Sequence, residues 1–259
     1  MRIALGVEYD GAGFCGWQLQ DGVRTVQGEI EIALEKIANH PVRVITAGRT
    51  DTGVHASGQV IHFDTGTARP DGSWQRGTTR YLPDDVAVLW ARQVSEDFHA
   101  RFSAVERHYR YIIFNRRVRP TYLNKRVSWD YRPLDAERMQ QAALPLLGRH
   151  DFDAYRAVAC QAKSPVRELR ELSVRRQGDF VIIDARADGF LHHMVRNLAG
   201  VLSAIGAGEQ DIDWAREVLT SRDRTCGGVT ASPHGLYLVA IVYPDHFELP
   251  VGNTAVPVF

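Results

Sequence analysis

The residues best suited to chemistry lie in one polar loop, Ala47-Gly48-Arg49-Thr50-Asp51-Thr52-Gly53-Val54-His55-Ala56. This loop places the Asp51 carboxylate two residues from the Arg49 guanidinium and four residues from the His55 imidazole. It lies between two apolar runs that are typical of strands, and catalytic groups are often mounted on such loops. The same composition also suits a tight loop closed by an Arg–Asp ion pair, so the loop alone leaves both interpretations open.

A second candidate is a basic segment with interleaved aromatic side chains. Between residues 101 and 126 the chain carries eight Arg and Lys residues and one acidic residue, Glu106. The basic residues are Arg101, Arg107, Arg110, Arg116, Arg117, Arg119, Lys125 and Arg126, and the aromatic ones include Tyr109, Tyr111, Phe114 and Tyr122. Cations hold phosphate groups and aromatic rings stack on bases, so the segment suits a nucleic acid. A strand with one solvated basic face would have the same pattern.

Two further patterns are weaker. Gly11-Ala12-Gly13-Phe14-Cys15-Gly16 fits the G-x-G-x-x-G pattern of dinucleotide sites. The next predicted helix begins about a dozen residues later, so no helix N-terminus would face a pyrophosphate. His192 and His193 are adjacent at the start of another predicted helix, where neighbouring side chains point apart. We therefore predict neither a cofactor nor a metal site.

The composition is that of a globular protein with no membrane segment. Of the 259 residues, 44% are hydrophobic and 24% are charged. The uncharged stretch 197–208 is too short to span a bilayer, and Glu8 interrupts the apolar N-terminal run of a signal peptide. Three scattered cysteines favour a reducing compartment, so we expect a cytoplasmic location. The net charge of zero allows local basic patches only.

The elements that must position these residues form a pattern that occurs twice. In the first half, strands are predicted over 2–9, 42–46, 58–64 and 86–94, and helices over 25–39 and 73–82. In the second half, strands are predicted over 108–115, 166–176, 180–187 and 236–243, and helices over 135–147, 189–206 and 212–220. The orders βαββαβ and βαββααβ are typical of split βαβ units.

These units predict an α+β fold of two ferredoxin-like halves. Joined at an edge, the halves would form one mixed, mainly antiparallel eight-stranded sheet, with helices on one face and an open cleft on the other. The first half covers residues 1–104 and carries the Asp51 loop, and the second covers residues 105–245. Residues 246–259 are predicted to form a loosely held tail.

Several segments together resemble the tRNA pseudouridine synthase A family, from about residue 2 to residue 243. The most specific are the Gly48-Arg49-Thr50-Asp51 stretch and Phe190-Leu191-His192-His193-Met194-Val195-Arg196-Asn197. The others are Tyr9-Asp10-Gly11, Gly16-Trp17-Gln18, His99-Ala100-Arg101-Phe102-Ser103-Ala104, Tyr109-Arg110-Tyr111 and Gly235-Leu236-Tyr237-Leu238.

The resemblance implies a homodimer that converts uridine to pseudouridine at positions 38, 39 and 40 in the anticodon stem-loop of tRNA. It implies that no cofactor or metal is used and that the open cleft binds RNA. By resemblance the catalytic aspartate is Asp51, its ion-pair partner is Arg49, and the tyrosine that stacks on the substrate is Tyr109.

The reaction breaks the N–C glycosidic bond of uridine, turns the base and rejoins it through carbon. A carboxylate can act as a nucleophile at the sugar carbon or at C6 of the base, or as a general base on the sugar. The residues do not choose between these routes. Each route needs Asp51 ionised where water is excluded, and a nearby Arg49 guanidinium would favour that state.

Contacts with tRNA are expected from several side chains outside the loop. A uridine in a stem must leave the stack at a cost of a few kcal/mol, and stacking on Tyr109, worth about 1–3 kcal/mol, would offset that cost. The expected phosphate-holding face combines the basic segment, including Arg101, with Arg24, Lys163 and Arg196. His55 is a further expected substrate contact.

Two other functions fit parts of the pattern. A non-catalytic RNA-binding protein on the same sheet would recognise shape and charge, and it would tolerate the loss of Asp51. An enzyme acting on a small glycoside would need a second catalytic carboxylate, which the sequence does not place near Asp51.

Overall fold

The computed structural model describes residues 1–250 and divides them into two compact units. One unit contains Met1–Glu106 together with the described residues from Tyr237 onward, and the other is Arg107–Leu236. Residues 1–250 form ten strands and five α-helices, which confirms the α+β class. The two strands beyond the predicted eight are short ones in the second unit.

The first unit is built on five strands. They are β1 (Arg2–Tyr9), β2 (Ile45–Thr46), β3 (His55–Asp64), β4 (Val86–Val94) and β10 (Leu236–Val242). The order is β4-β1-β3-β10, and β2 also pairs with β3. Both neighbours of β1 are antiparallel to it, whereas β10 runs parallel to β3 with Tyr237 opposite His55.

Two helices, α1 (Val26–Ala38) and α2 (Asp71–Tyr81), complete this unit. As predicted, Thr25 caps α1, because its hydroxyl accepts a hydrogen bond from the Gly28 amide at 3.3 Å. The helix ends where Asn39 adopts a left-handed conformation. The apolar stripe of α1 is buried, α2 packs on β4, and the two helices pack on each other.

The second unit also has five strands. They are β5 (Glu106–Asn115), β6 (Ser128–Asp130), β7 (Gly148–Asp151), β8 (Val166–Gln177) and β9 (Phe180–Ala187). The order β5-β9-β8-β7 is antiparallel throughout, and β6 lies parallel to β5. The predicted hairpin between β8 and β9 is confirmed, with Gly178 at φ 57° in its turn.

The helices of this unit are α3 (Ala136–Ala143), α4 (Met194–Gly206) and α5 (Trp214–Ser221). Asp135 caps α3 as predicted, because its carboxylate accepts from the Glu137 and Arg138 amides. Helix α4 begins five residues later than predicted, because His193 has φ 62° and ends any helical path before it. None of the helices formed by residues 1–250 has the length and apolar character needed to cross a membrane.

Two features differ from the expected organisation. The closing strand β10, expected in the second half, pairs with β3 and belongs to the first unit. The predicted tail begins with a 3-10 turn at Asp245–Phe247, where the Phe247 ring contacts Phe98 at a centroid distance of 5.1 Å. The remainder of that tail, residues 251–259, lies outside the described residues.

Candidate functional site

The Asp51 loop connects β2 to β3 in the first unit. The Ala47 amide donates to the Val60 carbonyl at 2.9 Å, and the Val54 amide donates to the Asp51 carbonyl at 3.1 Å. Gly53, at φ 78°, makes the turn after the aspartate. These bonds leave the Asp51 side chain half-buried at the tip of the loop.

A second layer of contacts fixes the loop from the segment that follows β1. The Trp17 amide donates to the Thr50 carbonyl at 3.0 Å, and the hydroxyls of Tyr9 and Thr50 are hydrogen-bonded at 2.8 Å. Gly16 has φ 85°, and a Cβ there would lie 2.9 Å from the Thr50 carbonyl oxygen. A Cβ on Gly11 would lie 2.0 Å from the Val54 carbonyl oxygen. The weak G-x-G-x-x-G pattern therefore has a packing function, which the sequence analysis missed.

Tyr9 is the buried polar centre of this contact. Burial raises the pKa of Tyr9 to about 12, against smaller opposite effects of its hydrogen bonds with Thr50 and Gln59, so the phenol stays protonated. The Gln59 side-chain amide donates to the Tyr9 oxygen at 3.4 Å and to the Gly48 carbonyl at 2.7 Å. The loop is thus held at both Gly48 and Thr50, on either side of Arg49.

His55 lies inside the first unit. Its Nδ1 accepts a hydrogen bond from the Gly11 amide at 3.0 Å. The Asp10 carboxylate lies 3.1 Å from the same nitrogen. The ring stacks on Tyr237 at 4.6 Å. This placement gives His55 a clear role in holding the loop, while its expected contact with substrate stays a prediction.

Arg49 does not form the expected pair with the catalytic candidate. Its side chain is exposed, and among residues 1–250 its guanidinium makes no ion pair. The physical reason is the inward turn of Thr50, which is tied to Trp17 and Tyr9 while Arg49 stays at the surface. The Arg49–Asp51 ion pair is therefore absent from this structure.

Arg24 is engaged within the protein. Its two terminal nitrogens donate to the Asp85 carboxylate at 2.7 and 2.8 Å, and its Nε donates to Glu29 at 2.8 Å. The guanidinium also lies 4.1 Å from the centre of the Phe14 ring. The hydrogen bonds to Asp85 raise the pKa of Arg24, with Glu29 contributing in the same direction. Two carboxylates thus already compensate the charge expected to hold phosphate.

In the second unit, Tyr109 lies on β5 opposite Ala185. Its side chain is 8% exposed, and its ring meets Phe190 edge-on at 5.0 Å. Arg196, in the first turn of α4, donates from Nε to the Ala231 carbonyl at 2.8 Å, and the Ala231 amide donates back to the Arg196 carbonyl at 3.1 Å. Arg196 therefore holds the segment around residue 231.

The two remaining expected contacts are exposed. Arg101, in the first unit, lies over the ring of Phe102 at 5.5 Å, and that ring is 75% exposed. Lys163, in the second unit, is also exposed. Their expected contacts with tRNA stay predictions.

The basic segment divides into an inner and an outer part. Tyr111 is fully buried and its hydroxyl donates to the Ser232 carbonyl at 2.8 Å. Tyr122, by contrast, is 79% exposed, and Trp129 and Tyr131 are also exposed. The Trp129 indole donates to the Arg116 carbonyl at 2.9 Å. Trp129 and Tyr131 are not among the residues predicted from the sequence, although the absence of acidic side chains over residues 107–129 is a signal that reaches Trp129.

Asp184 on β9 was also missed. It is buried and accepts hydrogen bonds from His108 Nε2 at 3.1 Å, from Arg110 Nε at 2.7 Å and from Arg175. Burial alone would raise the pKa of Asp184, but these three donors outweigh it and hold that pKa well below its usual range. Arg110 of the basic segment is therefore committed to an internal carboxylate.

Comparison with known proteins gives a consistent result. A family model described as tRNA pseudouridine synthase matches residues 6–103 and 142–244. The chain is 61% identical over 250 residues to the tRNA pseudouridine synthase A of Nitrosococcus oceani, covering 96% of each chain. It is 56% identical over 250 residues to the tRNA pseudouridine synthase A of Pseudomonas aeruginosa, covering 96% of this chain and 88% of that one.

A solved structure is also similar. A chain in the crystal structure of a Cbf5-Nop10-Gar1 complex aligns with a TM-score of 0.37 and 10% sequence identity. The alignment covers 91% of this chain and 57% of that one.

Proposed function

The chain belongs to the tRNA pseudouridine synthase family, and on that premise we propose that its Asp51 converts uridine to pseudouridine at positions 38, 39 and 40 of the anticodon stem-loop. The protein is thus an isomerase that acts on tRNA. We further propose that it works as a homodimer in the cytoplasm, in line with its resemblance to the family.

The fixed geometry of the Asp51 loop is the observation that carries the catalytic proposal. The loop is tied to Trp17, Tyr9 and Gln59, and two glycines allow its backbone to approach the segment after β1. When a catalytic group is already held in one geometry, the entropic cost of ordering it does not recur at each turnover. A half-buried carboxylate in such a loop is well suited to meet a single reacting atom.

The proposed reaction is a balanced isomerisation. The bond between N1 of the base and C1′ of the sugar breaks, and a bond between C5 and C1′ forms. C5 loses its proton and N1 gains one, so no electrons are exchanged and the route needs no cofactor. Asp51 acts as the nucleophile, either at C1′ or at C6 of the base, and is released when the rotated base has rejoined the sugar.

The substrate uridine must leave its stack before this chemistry starts. We assign the stacking role to Tyr109, whose ring is already held edge-on by Phe190. A ring held in this way loses little further freedom when a base packs on its face.

The tRNA backbone is assigned to exposed cations. Arg101 and Lys163 are exposed, and Arg117 and Arg119 precede the exposed Tyr122 in an acid-free stretch of the sequence. Cations next to aromatic rings suit both parts of a nucleotide, the phosphate and the base. Arg24 and Arg196, which are engaged within the protein, would contribute only if tRNA competed with their present partners.

The test uses unmodified tRNA transcript labelled with tritium at C5 of uridine, with no added cofactor. The wild type should release tritium and place pseudouridine in the anticodon arm. Asp51→Asn and Asp51→Ala should lose on the order of 10³-fold or more in rate. Asp21→Asn is the matched control, because Asp21 is an exposed aspartate of the same unit.

Circular dichroism and thermal unfolding establish that each variant is folded. A folded Asp51→Ala protein that releases tritium at the wild-type rate would exclude Asp51 from the chemistry. Pseudouridine formed only outside the anticodon arm would overturn the proposed positions but leave the reaction class intact.

A further inference from the structure

A groove on the helical side of the first unit is lined by three cations and no acid. Its volume is about 370 Å³. The lining residues come from the end of α1, from the loop before α2 and from the first half of α2; they are Lys36, Ile37, Arg69, Gly72, Ser73, Arg76 and Gly77. The mechanism proposed above uses none of these residues.

Specific contacts hold the walls of this groove together. The Thr67 hydroxyl donates to the Ala38 carbonyl at 2.7 Å, and His40 Nε2 is hydrogen-bonded to the Thr65 hydroxyl at 2.8 Å. These two bonds tie the loop that carries Arg69 to the end of α1, which carries Lys36. Gly77 allows α2 to approach α1, because a Cβ there would lie 2.9 Å from Ile37 Cδ1.

No ion pair within residues 1–250 compensates the charges in the groove. Within residues 1–250, neither Lys36, Arg69 nor Arg76 takes part in an ion pair or a side-chain hydrogen bond. Other arginines of the unit are paired, namely Arg2 with Asp64, Arg43 with Glu31 and Arg92 with Asp71. Three uncompensated cations around one concave surface concentrate positive potential there and attract an anion.

Helix α1 runs from the neighbourhood of the Asp51 loop to the groove. Helix α1 starts beside that loop, since the Val26 amide donates to the Gly16 carbonyl and Gly16 contacts Thr50. Lys36 is ten residues further along the helix, a rise of about 15 Å. One strand of a nucleic acid covers that distance in four or five nucleotides.

We propose that this groove binds phosphate groups of the tRNA backbone, outside the nucleotide that reacts. The proposal rests on the proposed function, since it takes tRNA as the substrate. It adds a second anchoring point on the helical side of the first unit, which raises affinity for tRNA without touching the reacting uridine.

The experiment measures the dissociation constant of the full-length protein for tRNA transcript over a range of salt concentrations. Each lost phosphate contact should lower the slope of log affinity against log salt by about one. We expect a slope change of about one for Arg76→Ala and about three for the combined Lys36→Ala, Arg69→Ala and Arg76→Ala protein. The combined variant should bind about tenfold or more weakly at moderate salt, with an unchanged rate of tritium release at saturating tRNA.

The matched control is Arg80→Ala, which removes an exposed arginine from the same helix but outside the groove. An equal salt slope in the combined variant and in Arg80→Ala would overturn the proposal. If the combined variant does not fold, the salt slopes of the single variants Arg69→Ala and Arg76→Ala, compared with that of Arg80→Ala, test the proposal instead. An inactive wild type that retains the groove-dependent slope would overturn the proposed function and not the binding site.

A second experiment, with inorganic phosphate, tests whether the ligand of the groove is a free anion or the RNA backbone. If millimolar phosphate raises the unfolding temperature of the wild type but not of the combined variant, while the tRNA salt slopes are equal, the groove binds a free anion. That outcome contradicts the tRNA proposal.

Discussion

His62 on β3 shows how strongly burial controls a single residue of this protein. Its side chain is 1% exposed, and its Nδ1 accepts a hydrogen bond from the Ala100 amide at 3.1 Å. Burial lowers the pKa of His62 to about 4, and the neighbouring charges of Arg2 and His99 act in the same direction. The folded protein therefore holds this imidazole neutral under conditions in which an unfolded chain would protonate it.

This shift predicts a loss of stability in mild acid. As the pH falls from about 6.5 towards 4, the unfolded chain takes up a proton that the folded chain does not, so the free energy of unfolding decreases. We expect a decrease of about 2 kcal/mol between pH 7.5 and pH 5 from this residue. Urea unfolding of the wild type and of His62→Asn at the two pH values measures this decrease. The Asn side chain can still accept a hydrogen bond from the Ala100 amide, but it does not titrate. Identical pH dependence in the two proteins would contradict the assignment.

At the scale of elements, the Asp51 loop depends on a close backbone approach at Gly16. Gly16 has φ 85°, and a side chain there would collide with the Thr50 carbonyl. Gly22 has a similar φ of 75°, but nothing lies within 4 Å of the position of its Cβ. The two glycines thus share a left-handed backbone conformation and differ in the contact with the loop.

Gly16→Ala should therefore reduce activity far more than Gly22→Ala. Both substitutions place alanine in a left-handed conformation at a cost of about 1–3 kcal/mol. Gly16→Ala adds the collision with the Thr50 carbonyl, so its unfolding temperature should fall further. Only Gly16→Ala should displace the Asp51 loop. A displacement of a catalytic group by about 1 Å lowers the rate on the order of 10²-fold. The readout is tritium release by the two folded variants, and equal rates would refute the proposed role of the contact.

Local signals explain which elements the sequence predicts. Helix α1 has a capping threonine, a continuous apolar stripe and a left-handed residue at its end, all within fifteen residues. The pairing of β10 with β3 has no local signal, because it joins Tyr237 to His55 across most of the chain. Strand β6 has three residues, too few for a periodicity to appear.

In the candidate site, too, features with a local signal are predictable and long-range contacts are not. The Asp51 loop is predictable because its polar residues are consecutive and lie between two strands. The ion pair of Arg24 with Asp85 is less predictable, because Asp85 lies 61 residues away in the sequence and no sequence pattern connects it to Arg24. The same holds for Thr50 and Trp17, whose hydrogen bond positions the loop.

For the whole molecule, the formal charge is zero, with 31 basic and 31 acidic residues. Much of this charge is compensated internally, as in the Asp184 and Arg24 clusters. Affinity for a polyanion must then come from the cations that remain accessible, among them Lys163 and those of the groove.

A neutral protein of this kind should still bind tRNA with a strong salt dependence. If six or more phosphates are neutralised, affinity should fall by about 10³-fold or more between 50 and 200 mM salt. Filter binding or fluorescence anisotropy with tRNA transcript measures this slope. A dissociation constant that hardly changes over that range would show that the accessible cations do not contact phosphates.

The position of β10 determines when the sheet of the first unit can be completed during synthesis. The first unit lacks this strand until residues 107–236, 130 in number, have left the ribosome, which takes roughly 7 to 26 s at ordinary translation rates. During that time His55 has no Tyr237 to stack on, and the start of β3 has an open edge that invites pairing with other chains. A nascent chain therefore has the contacts of Tyr9, Trp17 and Gln59 with the Asp51 loop early, but it gains the stack of Tyr237 on His55 only after the whole second unit has been made.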